Sequence, residues 1–288
     1  MTECSRPLLR YFGGKWRLAP WIIAHFPPHE IYTEVFGGAA SVLLRKPRSD
    51  QEIYNDLDGE LVTLFRVLRS DRAEELVSAV ALTPFSRDEF DLAYQEDTSD
   101  QVEIARRLIV RSFFGYGGGL SIVRRPTSFR AVNRRAGNAP VIPWANYPDA
   151  LRMVVDRLRG VTVENKPAIE VLTAQDRPEA LHYVDPPYVM ETRSGKVCDG
   201  SAHHGYRHDM RSSEHIELLD TLKSLQGRVI LSGYPCDLYD DALAGWTRQT
   251  MEARDDNAKT RTEVLWMNFD PASAPPPGGL FKQSEGSE

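Results

Sequence analysis

Residues 181–188, Leu-His-Tyr-Val-Asp-Pro-Pro-Tyr, constrain this chain more than any other stretch. A short apolar run of this kind reads as a buried strand. The prolines end it, because proline has no N–H to give to a sheet ladder. In an open α/β sheet the ligand crevice lies at the carboxyl ends of the strands. Asp185 and Tyr188 are therefore expected at the lip of a ligand site. Asp185 brings a carboxylate acceptor, and Pro186 a carbonyl with no amide proton beside it, held still by the double proline with Pro187. Two fixed acceptors suit a planar NH2 group, and Tyr188 offers a flat face for a ring. The implied target is the exocyclic amine of a nucleobase. Holding both of its protons would draw the delocalised lone pair out of the ring and aim it at an electrophile. The competing reading is an ordinary Asp-Pro turn after a strand.

Two upstream stretches bear on what lies beside that quartet. Residues 8–17, Leu-Leu-Arg-Tyr-Phe-Gly-Gly-Lys-Trp-Arg, form a glycine-broken loop leading into a helix around 18–25, with Tyr11 and Lys15 flanking the glycines. Residues 31–36 read as a strand, followed by Gly37-Gly38-Ala39-Ala40-Ser41 and an apolar helix to about residue 45. Strand, glycine turn and helix open a nucleotide-binding βαβ unit. A second strand at 52–54 ends at Asp56, 22 residues beyond Glu34, the spacing of an acid that hydrogen-bonds a ribose. The GxGxxG fingerprint is missing. A cofactor with a ribose and no pyrophosphate needs chiefly that acid, so S-adenosylmethionine fits better than NAD.

Net charge is −6 over 288 residues, which alone argues against nucleic acid. The average hides an island. Residues 101–160 hold eleven arginines, no lysine and three acids, so that segment carries +8 and the rest −14. An arginine island is the footprint expected of a phosphate-binding face, although a solvated helix face would have the same composition. The candidates for DNA contact are Arg111, Arg124, Arg125, Arg130, Arg134 and Arg135, with Phe129 and Trp144 interleaved. Three scattered cysteines with no CxxC read as reduced thiols. His203, His204 and His208 near Cys198 match no zinc spacing, so no metal is expected. With no signal-like or membrane-length apolar run, the expectation is a soluble, cytoplasmic protein.

Along the chain, a helix at 59–69 precedes a change of pattern between about 70 and 148. Helical pieces at 87–94 and 102–113 lead there into a glycine- and arginine-rich stretch. The α/β pattern resumes with a helix at 148–158, a strand at 161–164 and a helix near 168–174. A polar loop at 191–211 reads as a lid. A helix at 212–225 with a Ser-Ser-Glu cap, a strand at 228–234 and a closing pair at 247–253 and 262–269 follow. The tail after 270 has the composition of a disordered segment.

Taken together, these residues resemble the Dam-type DNA adenine-N6 methyltransferases, especially phage-like members. The resemblance runs to about residue 269. It is carried by Tyr11-Phe12-Gly13-Gly14-Lys15, by Glu34-Val35-Phe36-Gly37-Gly38-Ala39-Ala40 as the FxGxG motif, by Asp56 and by the Asp185–Tyr188 quartet, with 230–234 and 261–266 also familial. The order of motifs is the family's alpha arrangement. The resemblance implies an α/β fold: a Rossmann-like S-adenosylmethionine-dependent methyltransferase sheet formed by 1–70 and 149–270. A mainly helical target-recognition insert would occupy 71–148, and a disordered tail 271–288. It implies catalysis by Asp185, Pro186, Pro187 and Tyr188 on an adenine flipped out of double-stranded DNA. Tyr11, Lys15, Glu34, Phe36, Gly38, Asp56 and Asp185 would hold S-adenosylmethionine. The expected enzyme is a monomer, solitary or paired with a separate restriction endonuclease. Two departures stand out: Ala40 replaces the last glycine of FxGxG, and Lys166-Pro167-Ala168 stands where many members carry Asp-Phe. The rival readings are methylation of cytosine N4 or of RNA, a DNA-binding relative without catalysis, and a nicotinamide oxidoreductase.

Overall fold

The computed structural model describes residues 4–115, 128–130, 141–189, 192, 208–254 and 260–271. In chain order the elements are α1 (Ala19–Ile23), β1 (Ile31–Glu34), β2 (Gln51–Asn55), α2 (Gly59–Leu68), α3 (Ala73–Leu82), α4 (Arg87–Leu92) and α5 (Gln101–Phe114). After these come α6 (Val141–Ala145), α7 (Tyr147–Leu158), β3 (Val161–Glu164), α8 (Ala168–Gln175), β4 (Ala180–Val184), α9 (Ser212–Ser224), β5 (Arg228–Gly233), α10 (Asp237–Ala242), β6 (Thr247–Arg254) and β7 (Thr260–Met267).

The strands form one sheet in the order β3-β2-β1-β4-β5-β7-β6. The first five run parallel, and β7 enters antiparallel between β5 and β6. The chain leaves β1 toward β2 on one side and returns as β4 on the other, so the β1/β4 boundary is where the strand order reverses. Successive side chains of a strand point to opposite faces, and this alternation divides the sheet between two cores. Tyr32, Tyr54, Leu181, Tyr183, Ile230, Leu265 and Met267 face the first, against α2, α3, α5 and α7. Val35, Ile53, Val184, Val229, Leu231, Val264 and Trp266 face the second, against α8, α9 and α10.

The α/β sheet expected from the sequence is present, with local differences. The segment 71–148 was expected as an insert. Its α3, α4 and α5 contribute to the first core beside α2 and α7, so the described part packs as a layer on the sheet. Helix α3, with acids at Glu74 and Glu75 and a buried Leu76-Val77-Val80 stripe, was not anticipated. Helix α9 is capped by Glu214 Oε2, which accepts the Arg211 N–H at 2.7 Å, while Ser212 and Ser213 stand inside the first turn. Phe129 packs on Phe85 and Phe90 with ring centroids 5.3 and 5.8 Å apart, and the Arg130 N–H donates to the Phe114 carbonyl at 2.7 Å. That contact fastens the middle of the arginine-rich stretch to the helical layer.

The expected helix after β1 is instead a run of turns over residues 38–45. The chain bends because Gly38 has φ +49° and Ala40 has φ +53°. A left-handed backbone costs a residue with a Cβ roughly 1–2 kcal/mol. Ala40 is also fully buried, and its methyl contributes about 0.8 kcal/mol of burial. Glycine would relieve the strain but lose the methyl and gain roughly 0.4–1 kcal/mol of unfolded-chain entropy. These terms nearly cancel. Ala40→Gly should therefore shift stability by no more than about 1 kcal/mol. Ala40→Val, β-branched at positive φ in a filled site, should cost at least about 2 kcal/mol. Urea-unfolding midpoints of the two variants check this.

Candidate active site

The carboxyl ends of β1, β2 and β4 open on one cavity of about 250 Å³. Its walls come from four stretches far apart in sequence: 11–15, 34–42, 56–58 and 183–187, closed by 208–210 and Glu214. The parallel register explains the convergence. Glu34 stands opposite Tyr54 on β2 and Tyr183 on β4, so the turns that follow these strands leave the sheet at one level.

The glycine turn is shaped by its neighbours. A Cβ on Gly37 would lie 2.2 Å from Tyr54 Cε2, and one on Gly38 would lie 2.9 Å from Tyr11 Cε1. Tyr54 donates its hydroxyl to the Gly38 carbonyl at 2.8 Å. Asp56 closes the turn from the other side: Oδ2 accepts the Gly38 N–H and Oδ1 the Asp58 N–H, both at 2.8 Å. Asn55 bonds the Val35 carbonyl at 2.9 Å and clasps Lys166 through its backbone N–H (2.9 Å) and carbonyl (3.0 Å). This clasp fixes the departing Lys166-Pro167-Ala168 segment and brings Ala168 to the cavity wall.

Asp185 leaves β4 held from two directions. Ser232 Oγ, on β5, donates to Oδ1 at 2.8 Å, and Lys15 Nζ pairs with Oδ2 at 2.8 Å. Lys15 is 5% exposed, also donates to the Gly13 carbonyl at 3.1 Å, and lies 4.7 Å from the centroid of the Tyr188 ring. Tyr188 is buried, meets the Tyr234 ring at 4.4 Å and 64°, and donates its hydroxyl to Glu263 Oε2 at 2.8 Å.

Burial dominates the electrostatics. It pushes the Glu34 carboxyl up to about 8, although the Tyr32 hydroxyl and the Leu43 N–H, each donating to Oε2 at 2.8 Å, pull it down; Asp185 nearby pushes it further up. Burial likewise raises Asp56 to about 6 against its two N–H donors. Glu263 is raised by burial and lowered by Lys15.

Over residues 11–256 the sequence matches the D12 class of N6 adenine-specific DNA methyltransferases. The chain belongs to this family. A comparison with curated proteins gives no match. The enzyme is therefore an adenine-specific DNA methyltransferase acting on N6.

In this methyltransferase the residues nominated from sequence as cofactor contacts, Tyr11, Lys15, Glu34, Phe36, Gly38, Asp56 and Asp185, all line the one cavity, as does Pro187. Lys15 additionally reaches the quartet, a link that sequence separation of 170 residues conceals. Ser232 and Glu263 were unassigned in the sequence reading, although each lies in a segment that resembles the family. Of the nominated arginines, Arg111 is directed inward. Its guanidinium donates to the Ala93 carbonyl at 2.6 Å and pairs with Glu60 at 2.9 Å. Arg124, Arg125, Arg134 and Arg135 lie outside the described residues, as do His203, His204, Cys198 and most of the expected lid. Among the described residues no cluster of three or more His, Cys, Asp or Glu side chains could hold a metal ion. Nor is any described helix long and apolar enough to cross a membrane.

The raised Glu34 sets a pH dependence. Between the usual carboxyl value of 4.5 and about 8, the folded state holds a proton that the unfolded chain has lost, so stability falls as pH rises through this window. Glu34→Gln removes the penalty. Its melting temperature should exceed the parent's at pH 8–9 and approach it at pH 5, as thermal melts across that range would show.

Proposed function

We propose that the cavity holds S-adenosylmethionine and that the 185–188 quartet presents the target adenine to it. The observation that carries this reading is Asp185, orientated by Ser232 and Lys15 at the rim of a cavity whose walls include 36–38 and Asp56. The residues fit the cofactor. Asp56, Asp58, Asp185, Asp209 and Glu214 line the cavity against Lys15 and His208, an acid-rich wall that favours a cationic ligand even though Glu34, raised to about 8, holds its proton near neutral pH. Because the segment after β1 makes turns, it offers no helix N-terminus to a pyrophosphate. That disfavours the nicotinamide reading.

When bound, S-adenosylmethionine would supply an electrophilic methyl group on a sulfonium, whose S–CH3 bond breaks as the methyl is taken up and whose sulfur is left as a neutral thioether. The protein supplies orientation. Each Asp185 oxygen already accepts one hydrogen bond and keeps a further lone pair for an amine proton. The Pro186 carbonyl takes the second proton of N6, and Tyr188 stacks on the extruded ring. Gripping both protons localises the N6 lone pair, and the developing positive charge on nitrogen is stabilised by the carboxylate. Asp185 then receives the proton that N6 must shed once the new N–C bond has formed. The adenine reaches this slot by leaving the base stack, where N6 is inaccessible. The carboxylate of Asp56 meets the cofactor's ribose, and Phe36 and Leu57 offer apolar wall to its adenine. Duplex DNA is gripped by Arg124, Arg125, Arg130, Arg134 and Arg135, within a recognition segment bounded by 71 and 148.

Asp185→Ala should lower methyl transfer at least about a hundredfold, the scale of losing one transition-state partner, while gel-shift affinity for duplex DNA is retained. Normal methylation by this variant would remove the assigned role. The arginines divide into two groups. Arg111→Ala removes the ion pair with Glu60 and the bond to the Ala93 carbonyl, and should lower the melting temperature. Alanine at Arg124, Arg125, Arg134 or Arg135 should weaken DNA binding and flatten its salt dependence without moving the melting temperature.

A further inference from the structure

Glu263 is a carboxyl group buried in a place where core packing does not ask for one. It sits on β7, beside Val264 and Leu265, and is 8% exposed. Burying an ionisable group is unfavourable unless it is partnered. Strand β7 runs antiparallel to β5, with Val264 opposite Gly233 and Leu265 opposite Ser232. The early half of β7 therefore reaches the same sheet edge from which the Asp185–Tyr188 segment departs. There Glu263 Oε2 accepts the hydroxyl of Tyr188 at 2.8 Å.

We propose that Glu263 is a positioning residue for methyl transfer: by holding the phenol of Tyr188, it fixes the ring on which the target adenine stacks. The inference rests on the stacking role assigned to Tyr188 above. A tyrosine ring turns about two side-chain torsions. Contact with Tyr234 at 4.4 Å bounds the ring on one side, and the Lys15 ammonium stands 4.7 Å from its centroid. The bond to Glu263 is the polar anchor at its far end. Lys15 also pairs with Asp185, so ring, carboxylate and ammonium form one connected set: a shift of the ring disturbs the group that orients Asp185. A carboxyl oxygen accepts a phenol proton whether the group is ionised or protonated. The anchor thus tolerates the raised proton affinity that burial and Asp185 give Glu263. The arrangement also gives the fourth residue of the quartet a reason to be tyrosine and not phenylalanine.

The test is single-turnover methylation of a duplex oligonucleotide by Tyr188→Phe, Glu263→Leu, Glu263→Gln and the Tyr188→Phe/Glu263→Leu double variant. Losing the bond should slow methyl transfer roughly tenfold in Tyr188→Phe and in Glu263→Leu, the scale of one buried hydrogen bond. The double variant should be no slower than the slower single, because both remove the same contact. Glu263→Gln keeps an acceptor and should recover most of the rate. S-adenosylmethionine affinity, read by calorimetry, should hold steady throughout. A double variant slowed by the product of the two single losses would overturn the proposal, as would Tyr188→Phe at the parental rate. If Glu263→Leu does not fold, a slow Tyr188→Phe beside a fast Glu263→Gln supports it and the reverse order rejects it. Tyr188→Ala separates the two layers. A parental rate there defeats the stacking role itself, whereas a slow Tyr188→Ala beside a parental Tyr188→Phe defeats only the part given to Glu263.

Discussion

The parallel pairing of β1 with β4 is the constraint on which the site depends. Ile31 lies opposite Ala180 and Glu34 opposite Tyr183, although about 150 residues separate the two strands. A parallel pair cannot be closed by a tight turn, so long connections must return the chain to the same starting edge. The connections here are the two helical layers. Their consequence is that every strand of the parallel set ends at one edge, and the reversal of strand order at β1/β4 leaves a crevice between diverging loops. Cavity, glycine turn and proline quartet occupy that crevice because the sheet leaves them nowhere else to go.

What the crevice then does electrostatically follows from burial. Glu34 and Asp56 both accept two hydrogen bonds from the protein, an arrangement that stabilises a carboxylate, yet both are pushed up. Desolvation wins over two donors in each case. Lys46 is the cation that pulls Glu34 down, and Lys15 pairs with Asp185. Near neutral pH Glu34 therefore keeps its proton and adds no charge to the cavity wall, while the Asp185 carboxylate is held in one pose by Lys15 and Ser232.

Much of this was legible in the residues, and the failures share a cause. The strand–proline junction at 184–186, the acid Asp56 just beyond the second strand and the alternation of strands with helices were readable because each is a local pattern. The helix expected after β1 failed because Val42, Leu43 and Leu44 are apolar in a way that suits a helix and a buried turn equally. Only the positive φ of Ala40 decides between them, and an alanine gives no warning of it. Helix α3 was passed over between two stronger signals. Ser232 and Glu263 were invisible as site residues because their partners, Asp185 and Tyr188, are 47 and 75 positions away. Nothing in a serine or a glutamate within a strand announces which strand end it will face.

The arginine island shows the same limit in its charge. Counting residues 101–160 gives a strongly positive segment, but the count stops at a boundary that ion pairs ignore. Arg106 binds Glu89 and Glu103, Arg107 binds Asp97 and Glu103, Arg111 binds Glu60, and Arg157 binds Glu52. Four of these partners, Glu52, Glu60, Glu89 and Asp97, lie outside the window, so the acids that neutralise the island were counted in the remainder. The arginines of these pairs are largely buried and tie the helical layer to itself and to the sheet, whereas Arg152 and Arg159 make exposed pairs of little energetic weight. The charge available to a polyanion is therefore smaller than a count over 101–160 suggests. A phosphate-binding segment needs cations without internal partners and a rigid point from which to present them. Along α5 the first requirement is not met, because Arg106, Arg107 and Arg111 are each paired with acids of the fold.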